Sequence, residues 1–79
     1  MQHKFKRHQK VRLLINPDPE YVEYDLTHEN SQAPIKKGMT GQINMLLPNG
    51  QYHVEIIDPE SNKTIAYVPI DEEFLEAIE

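Results

Sequence analysis

The stretch GQINMLLPNGQYHVEI, residues 41–56, has the pattern of a β-hairpin. Before the turn, positions 41, 43, 45 and 47 form one alternating set, and after it the apolar positions 52, 54 and 56 form another. Between the two runs, Pro48 fixes φ, while Asn49 and Gly50 tolerate a positive φ. The stretch therefore predicts two antiparallel strands joined by a tight turn, each with one face toward a core.

Just upstream, the segment PIKKGMTGQI, residues 34–43, places two glycines three residues apart behind a pair of lysines. A phosphate-binding loop would need a buried strand before it and a helix N-terminus after it, so that backbone N–H groups point at the anion. Here a predicted strand follows the glycines instead. We therefore interpret the pair as a bend, in which Gly38 takes a positive φ and Gly41 lets the following strand bend sharply across the first strand of the chain.

The flanking segments predict two more strands and a short terminal helix. KVRLLI, residues 10–15, alternates, and TIAYVPI, residues 64–70, follows the turn DPESNK. In DEEFLEAIE, residues 71–79, the acids come first, as at the positive end of a helix dipole, which predicts one or two helical turns packing Phe74, Leu75 or Ile78. The inward positions predict a core of Val11, Leu13, Ile15, Ile43, Met45, Val54, Ile56, Ala66, Val68 and Leu75.

Four short strands with one apolar face hide their edges best by curling into a barrel. The elements KVRLL, IKKGMTGQI, YHVEI and IAYVPI, with the acidic turn after them, resemble Src-homology-3-like barrels. Such barrels occur in the small stromal subunit of photosystem I, the variable chain of ferredoxin–thioredoxin reductase, KOW domains and short bacterial domains of unassigned function. The resemblance covers residues 10–76. It implies an all-β fold, a small barrel of about five short strands with a long first loop and a C-terminal helical turn.

The chain has 79 residues and no cysteine, which predicts one small domain held together without disulfides or sulfur-bound zinc. We expect this domain to span residues 10–79, with residues 1–9 as a basic N-terminal tail. The first twenty residues hold no apolar stretch of signal-peptide length, and the longest aliphatic runs fall far short of the roughly 18 residues of a membrane span. These features predict a soluble cytoplasmic protein with no membrane partner.

Catalytic and metal-binding signatures are absent from the sequence. The two serines, Ser31 and Ser61, lie in turn-like contexts beside no base, and the histidines at positions 3, 8, 28 and 53 include no i, i+4 pair. We therefore expect no enzymatic activity, no catalytic residue, no metal site and no cofactor.

The long loop, residues 16–35, carries the main candidate site. It combines two tyrosines with closely spaced acids, and the candidate partner-binding residues are Tyr21, Tyr24, Asp18, Glu20, Glu23 and Asp25. In signalling Src-homology-3 domains, an acidic loop with tyrosines helps to bind proline-rich ligands, with a tryptophan across the groove. This chain has no tryptophan, so the resemblance does not extend to PxxP recognition. The loop predicts a non-catalytic protein-interaction module or a small accessory subunit; alternatively, the tyrosines pack across the barrel mouth and the acids only solvate the loop.

The N-terminal segment supports a second hypothesis, a KOW-like nucleic-acid or ribosome-binding protein. Five of the eight cations lie in the first twelve residues, and Phe5 is placed for base stacking; the candidate residues are Lys4, Phe5, Lys6, Arg7 and Lys10, with Arg12. A net charge of −5 and a pI near 5.3 count against it. The simpler interpretation is a solvated tail whose residues 1–8 can be deleted without loss of a partner.

Overall fold

The computed structural model describes residues 5–25 and 34–78. Within these residues the chain forms one antiparallel sheet and two short 3-10 turns, Pro19–Tyr21 and Glu72–Phe74. The strands are β1 (Lys10–Leu13), β2 (Glu23–Tyr24), β3 (Thr40–Leu46), β4 (Gln51–Ile57), β5 (Thr64–Asp71) and β6 (Leu75–Ala77), in the spatial order β2-β5-β4-β3-β1-β6. The predicted all-β architecture is confirmed, with six strands rather than about five. No helix in the described part of the chain is long and apolar enough to cross a membrane.

The predicted hairpin is β3 and β4, and it contains a β-bulge that the alternation did not predict. Ile43 pairs with Val54, but Met45 pairs with the next residue, His53, so one extra residue is inserted on β3. A one-residue slip moves every following side chain to the opposite face. Met45 is therefore 49% exposed, and its predicted place in the core is wrong.

Gly41 lies where β3 crosses β4 most closely. It pairs with Val11 of β1 and with Ile56 of β4. A Cβ at Gly41 would collide with the carbonyl oxygen of Glu55 and would lie 2.9 Å from its carbonyl carbon and 3.0 Å from the Cα of Ile56. The positive φ predicted at Gly38 is confirmed (+93°), and so is a close backbone approach at Gly41, but that approach is to β4 and not to the first strand, β1. A strand follows Gly38 as predicted, although it begins at Thr40 and includes Gly41.

The core follows the predicted alternation on most strands. Eight of the ten predicted core residues are buried: Val11, Leu13, Ile43, Val54, Ile56, Ala66, Val68 and Leu75. Ile15 lies beyond the end of β1 and is only partly buried, so its predicted place in the core is wrong. Tyr52, which the alternation placed on the inward face of its strand, is buried as well. The core also includes four side chains outside the predicted set: Phe5, Ile35, Ile65 and Ile70.

The C-terminal acids form a single 3-10 turn, Glu72–Phe74, and the chain then continues as β6. Leu75 pairs with Leu13 and is 1% exposed, whereas Phe74 is half-buried and Ile78 is 37% exposed. The predicted helical turn is confirmed, but a second turn does not form. The extended backbone after Phe74 places Leu75 beside β1, where it fills the core.

The N-terminal segment, residues 5–9, packs against the barrel. Phe5 is 4% exposed and contacts the ring of Tyr52 edge-on, with 5.4 Å between the ring centroids. The His8 amide donates to the carbonyl of Ile43, and the Gln9 carbonyl accepts from the Ile43 amide. The ring of Phe5 is thus not available for base stacking, and deletion of residues 1–8 would remove this core side chain. The expectation that such a deletion leaves partner binding unchanged stays a prediction.

Candidate functional site

A groove of about 170 Å³ lies between the long loop and the C-terminal 3-10 turn. On the loop side it is lined by Pro17, Asp18 and Tyr21. On the opposite side it is lined by Asp71 and Phe74, and the floor and remaining walls come from Ile15, Gln51, Val68, Pro69 and Ile70. The groove therefore combines two aromatic rings and aliphatic surface with two carboxylates.

The loop wall of the groove is held in place by local hydrogen bonds. Asp18 caps the 3-10 turn Pro19–Tyr21, since its Oδ1 accepts from the Glu20 amide at 3.0 Å and its carbonyl accepts from the Tyr21 amide at 3.0 Å. Pro19 has no backbone N–H to donate, but it lies at the first position of the turn, where an N–H would have no partner within the turn. This turn presents Tyr21 with 63% of its surface exposed. An exposed ring on a braced turn can contact a partner with little loss of conformational entropy.

The described lining of the groove is acidic. Asp18 and Asp71 are both exposed, and no cation is among the described residues that line the groove. Glu20 and Glu73 are exposed neighbours of these two aspartates in the sequence, which adds to the negative charge on both sides. An apolar groove with an acidic rim favours a ligand that carries a cation beside apolar groups.

The six candidate residues of the loop do not converge on one surface. Only Asp18 and Tyr21 line the groove. On β2, Glu23 pairs with Tyr67 and is exposed, whereas Tyr24 pairs with the buried Ala66 and packs against the core. Successive residues of a strand point to opposite faces, so Glu23 and Tyr24 cannot face the same partner.

The other two loop acids lie near these elements. The amide of Asp25 donates to the Ile65 carbonyl at 2.8 Å. This bond extends the pairing of β2 with β5 to Asp25, the last described residue of this part of the loop. Glu20 is exposed on the 3-10 turn next to Tyr21.

Sequence reasoning missed the second wall of the groove. Asp71 lies about fifty positions after Asp18, and Phe74 lies about fifty positions after Tyr21. The sequence pattern predicted Asp71 at the start of a terminal helix and Phe74 among its packing residues. The signal that could have found them is the resemblance to a barrel, because the pairing of β2 with β5 brings the loop toward the end of β5. Pro69 lines the same groove, and as a proline it offers no backbone donor for an added strand.

Among the candidate nucleic-acid residues, Lys10 and Arg12 share the exposed face of β1, whereas Lys4 lies outside the described residues. Lys6 and Arg7 are exposed on a turn in which the Gln9 amide donates to the Lys6 carbonyl at 3.0 Å. Lys10 lies on the outer face of the sheet, where it lines a wide concavity of about 520 Å³. Arg12 pairs with Glu76 at 3.1 Å. Phe5 is buried and so does not lie beside these cations on the exposed surface.

Metal-ligating side chains do not cluster in the described part of the chain. Among residues 5–25 and 34–78, no group of three or more His, Asp or Glu residues could hold a metal ion. His53 is instead engaged on the outer face of the sheet, where it stacks on Tyr67 and its Nδ1 lies 2.9 Å from Asn44 Nδ2.

The comparisons with known proteins bear on the fold. No family model matches the chain, and no curated protein matches it. Among solved structures, the chain is similar to the fifth SH3 domain of the human KIAA0418 protein, with a TM-score of 0.54 and 13% sequence identity. The similarity covers 98% of this chain and 87% of that domain. The fold is therefore a small Src-homology-3-like barrel, as the sequence predicted.

Proposed function

We propose that the chain is a non-catalytic protein-interaction module that binds an extended segment of a partner protein in the groove between the long loop and the C-terminal 3-10 turn. The observation that carries this proposal is the groove itself, with the exposed ring of Tyr21 and the half-buried ring of Phe74 among its lining residues and Asp18 and Asp71 beside them. The Src-homology-3-like fold supports it, because such domains generally serve as interaction modules.

The chemistry of the groove defines the partner segment. Aromatic and proline surfaces favour apolar side chains with low conformational entropy, and the two carboxylates favour a lysine or arginine next to them. Exposed charge pairs of this kind raise the association rate more than they raise the affinity, and salt screens them. We therefore expect binding that weakens as the salt concentration rises.

Pull-down from native lysate with matched variants tests this proposal. Tyr21→Ala is expected to lose the partner, because it removes the exposed ring, and Asp18→Asn combined with Asp71→Asn is expected to reduce recovery at low salt. Glu60→Gln is the matched control, since Glu60 is an exposed acid on the turn between β4 and β5 and does not line the groove. Equal recovery by the groove variants and the control would contradict the proposal.

The same experiment also tests the alternative function, which is nucleic-acid binding through Lys6, Arg7 and Lys10. If Tyr21→Ala retains the partner, and if that partner is RNA or DNA released steeply by salt, the basic segment is the binding surface.

A further inference from the structure

One hydroxyl group joins the N-terminal segment to the turn that forms a wall of the groove. Tyr52 lies on β4 with 1% of its surface exposed, and its ring packs edge-on against Phe5. The Phe5 amide donates to the Tyr52 hydroxyl at 3.2 Å, and that hydroxyl donates to Oε1 of Glu72 at 3.2 Å. A hydroxyl at the end of a buried ring requires such partners, and here they come from two distant parts of the chain.

Glu72 is the first residue of the 3-10 turn that carries Phe74. Its carboxylate accepts from the hydroxyl of Tyr52 on β4, whereas Asp71 makes no side-chain capping bond to the turn. The Leu75 amide closes the turn by donating to the Glu72 carbonyl, and the Leu14 amide donates to the Phe74 carbonyl at 2.9 Å. The hydroxyl of Tyr52 thus helps to hold the turn that places Phe74 in the groove, while Asp71 is held at the end of β5 by its pairing with Gln51.

We propose that Tyr52 is a positioning residue for the groove. The docking of the N-terminal segment is then coupled to the placement of the groove wall, and the coupling runs through Phe5, Tyr52 and Glu72. This inference rests on the proposed function of the groove. A partner that binds the groove with the turn in place also stabilises the docked N-terminal segment, because coupling between two sites is reciprocal. The N-terminal segment is then a regulatory element of the groove.

The test is hydrogen exchange of single amides, which requires no partner. The Leu75 amide reports on the turn and the His8 amide on the docked segment, while a slow amide of β4 reports on global unfolding. Tyr52→Phe keeps the ring and removes the hydroxyl. It is expected to speed exchange of both reporters on the order of tenfold relative to the β4 amide, because it removes one buried and one partly buried hydrogen bond.

Two variants of Glu72 separate positioning from general stability. Glu72→Gln retains an oxygen that accepts from the Tyr52 hydroxyl, and the exchange of Leu75 is expected to stay within about twofold of the parent. Glu72→Ala removes the acceptor and is expected to match Tyr52→Phe at Leu75. If Glu72→Gln behaves as Glu72→Ala does, or if Tyr52→Phe changes the β4 amide as much as the reporters, the inference is overturned.

Phe5→Leu tests the coupling itself. In the parent chain it is expected to speed exchange at Leu75 severalfold, and in the Tyr52→Phe background it is expected to have no further effect there. Equal effects in the two backgrounds would show that the segment and the turn are independent. Such a result would leave the groove proposal intact, whereas failure to recover a partner would leave the exchange data intact.

Discussion

Replacement of Gly41 by alanine tests the close crossing of β3 and β4 on which the barrel depends. The added Cβ would meet only backbone atoms, the carbonyl group of Glu55 and the Cα of Ile56, and backbone cannot rotate away as a flexible side chain can. Relief requires the two strands to separate, which strains the pairing of Gly41 with Val11 as well. Overpacking costs typically 1 to 3 kcal/mol and more where the surroundings are rigid, so we expect a loss of about 3 kcal/mol for Gly41→Ala.

Gly50 supplies the matched control, since it lies in the turn between the same two strands. Its φ is +91°, and a Cβ there would meet nothing within 4 Å, so Gly50→Asn retains a residue that tolerates the left-handed region. Its cost is expected to stay near 1 kcal/mol or below. Urea unfolding followed by circular dichroism measures the loss of unfolding free energy in both variants from the shift of the midpoint, provided that the dependence of that free energy on urea concentration is unchanged. Equal midpoints for the two variants would refute the assignment of Gly41 to the bend.

Four further substitutions test the core and the exposed ring of Tyr21. Val54→Ala, at a position with 0% exposure, is expected to lower the free energy of unfolding by about 1 to 3 kcal/mol, and an unchanged urea midpoint would contradict the register of β4. Phe5→Ala is expected to cost about 3 kcal/mol, whereas a solvated tail would give no change in the thermal midpoint. Tyr24→Ala is expected to lower the thermal midpoint by several degrees. Tyr21→Ala is expected to keep the free energy of unfolding, measured in urea, within about 0.5 kcal/mol of the parent. A larger loss of stability for Tyr21→Ala than for Tyr24→Ala would mean that the two rings have been assigned to the wrong surfaces.

The strands were predictable from sequence where a single period runs uninterrupted. Tyr52, Val54 and Ile56 alternate along β4 and all three are buried, because β4 lies in the sheet between β3 and β5. The alternation rule failed at Met45, because the residue types at a β-bulge do not reveal that a residue has been inserted there. β5 shows the same limit, because a register shift at Ile56 and Ile57 leaves Ile65 and Ala66 both buried.

The candidate site was predictable only in part. The loop composition identified Asp18 and Tyr21, which line the groove, but it could not tell them from Tyr24, which faces the core. That distinction depends on the pairing of β2 with β5, a contact between residues more than forty positions apart. Phe5 was assigned to a tail for the same reason, because its partner Tyr52 lies 47 positions away.

The central claim is that the groove binds a partner segment in which a lysine or arginine lies beside apolar residues. Site-specific photo-crosslinking tests this claim most directly. A benzophenone amino acid is placed at position 21 in one variant and at position 45 in another, since Met45 is exposed on the bulged end of β3 and does not line the groove. Mass spectrometry then identifies the crosslinked peptide. We predict a crosslink from position 21 to a lysine- or arginine-bearing apolar segment, with a yield at low salt that falls when Asp18→Asn and Asp71→Asn are combined. A crosslink of equal yield from position 45, or a yield from position 21 that the loss of both aspartates leaves unchanged at low salt, would contradict the claim.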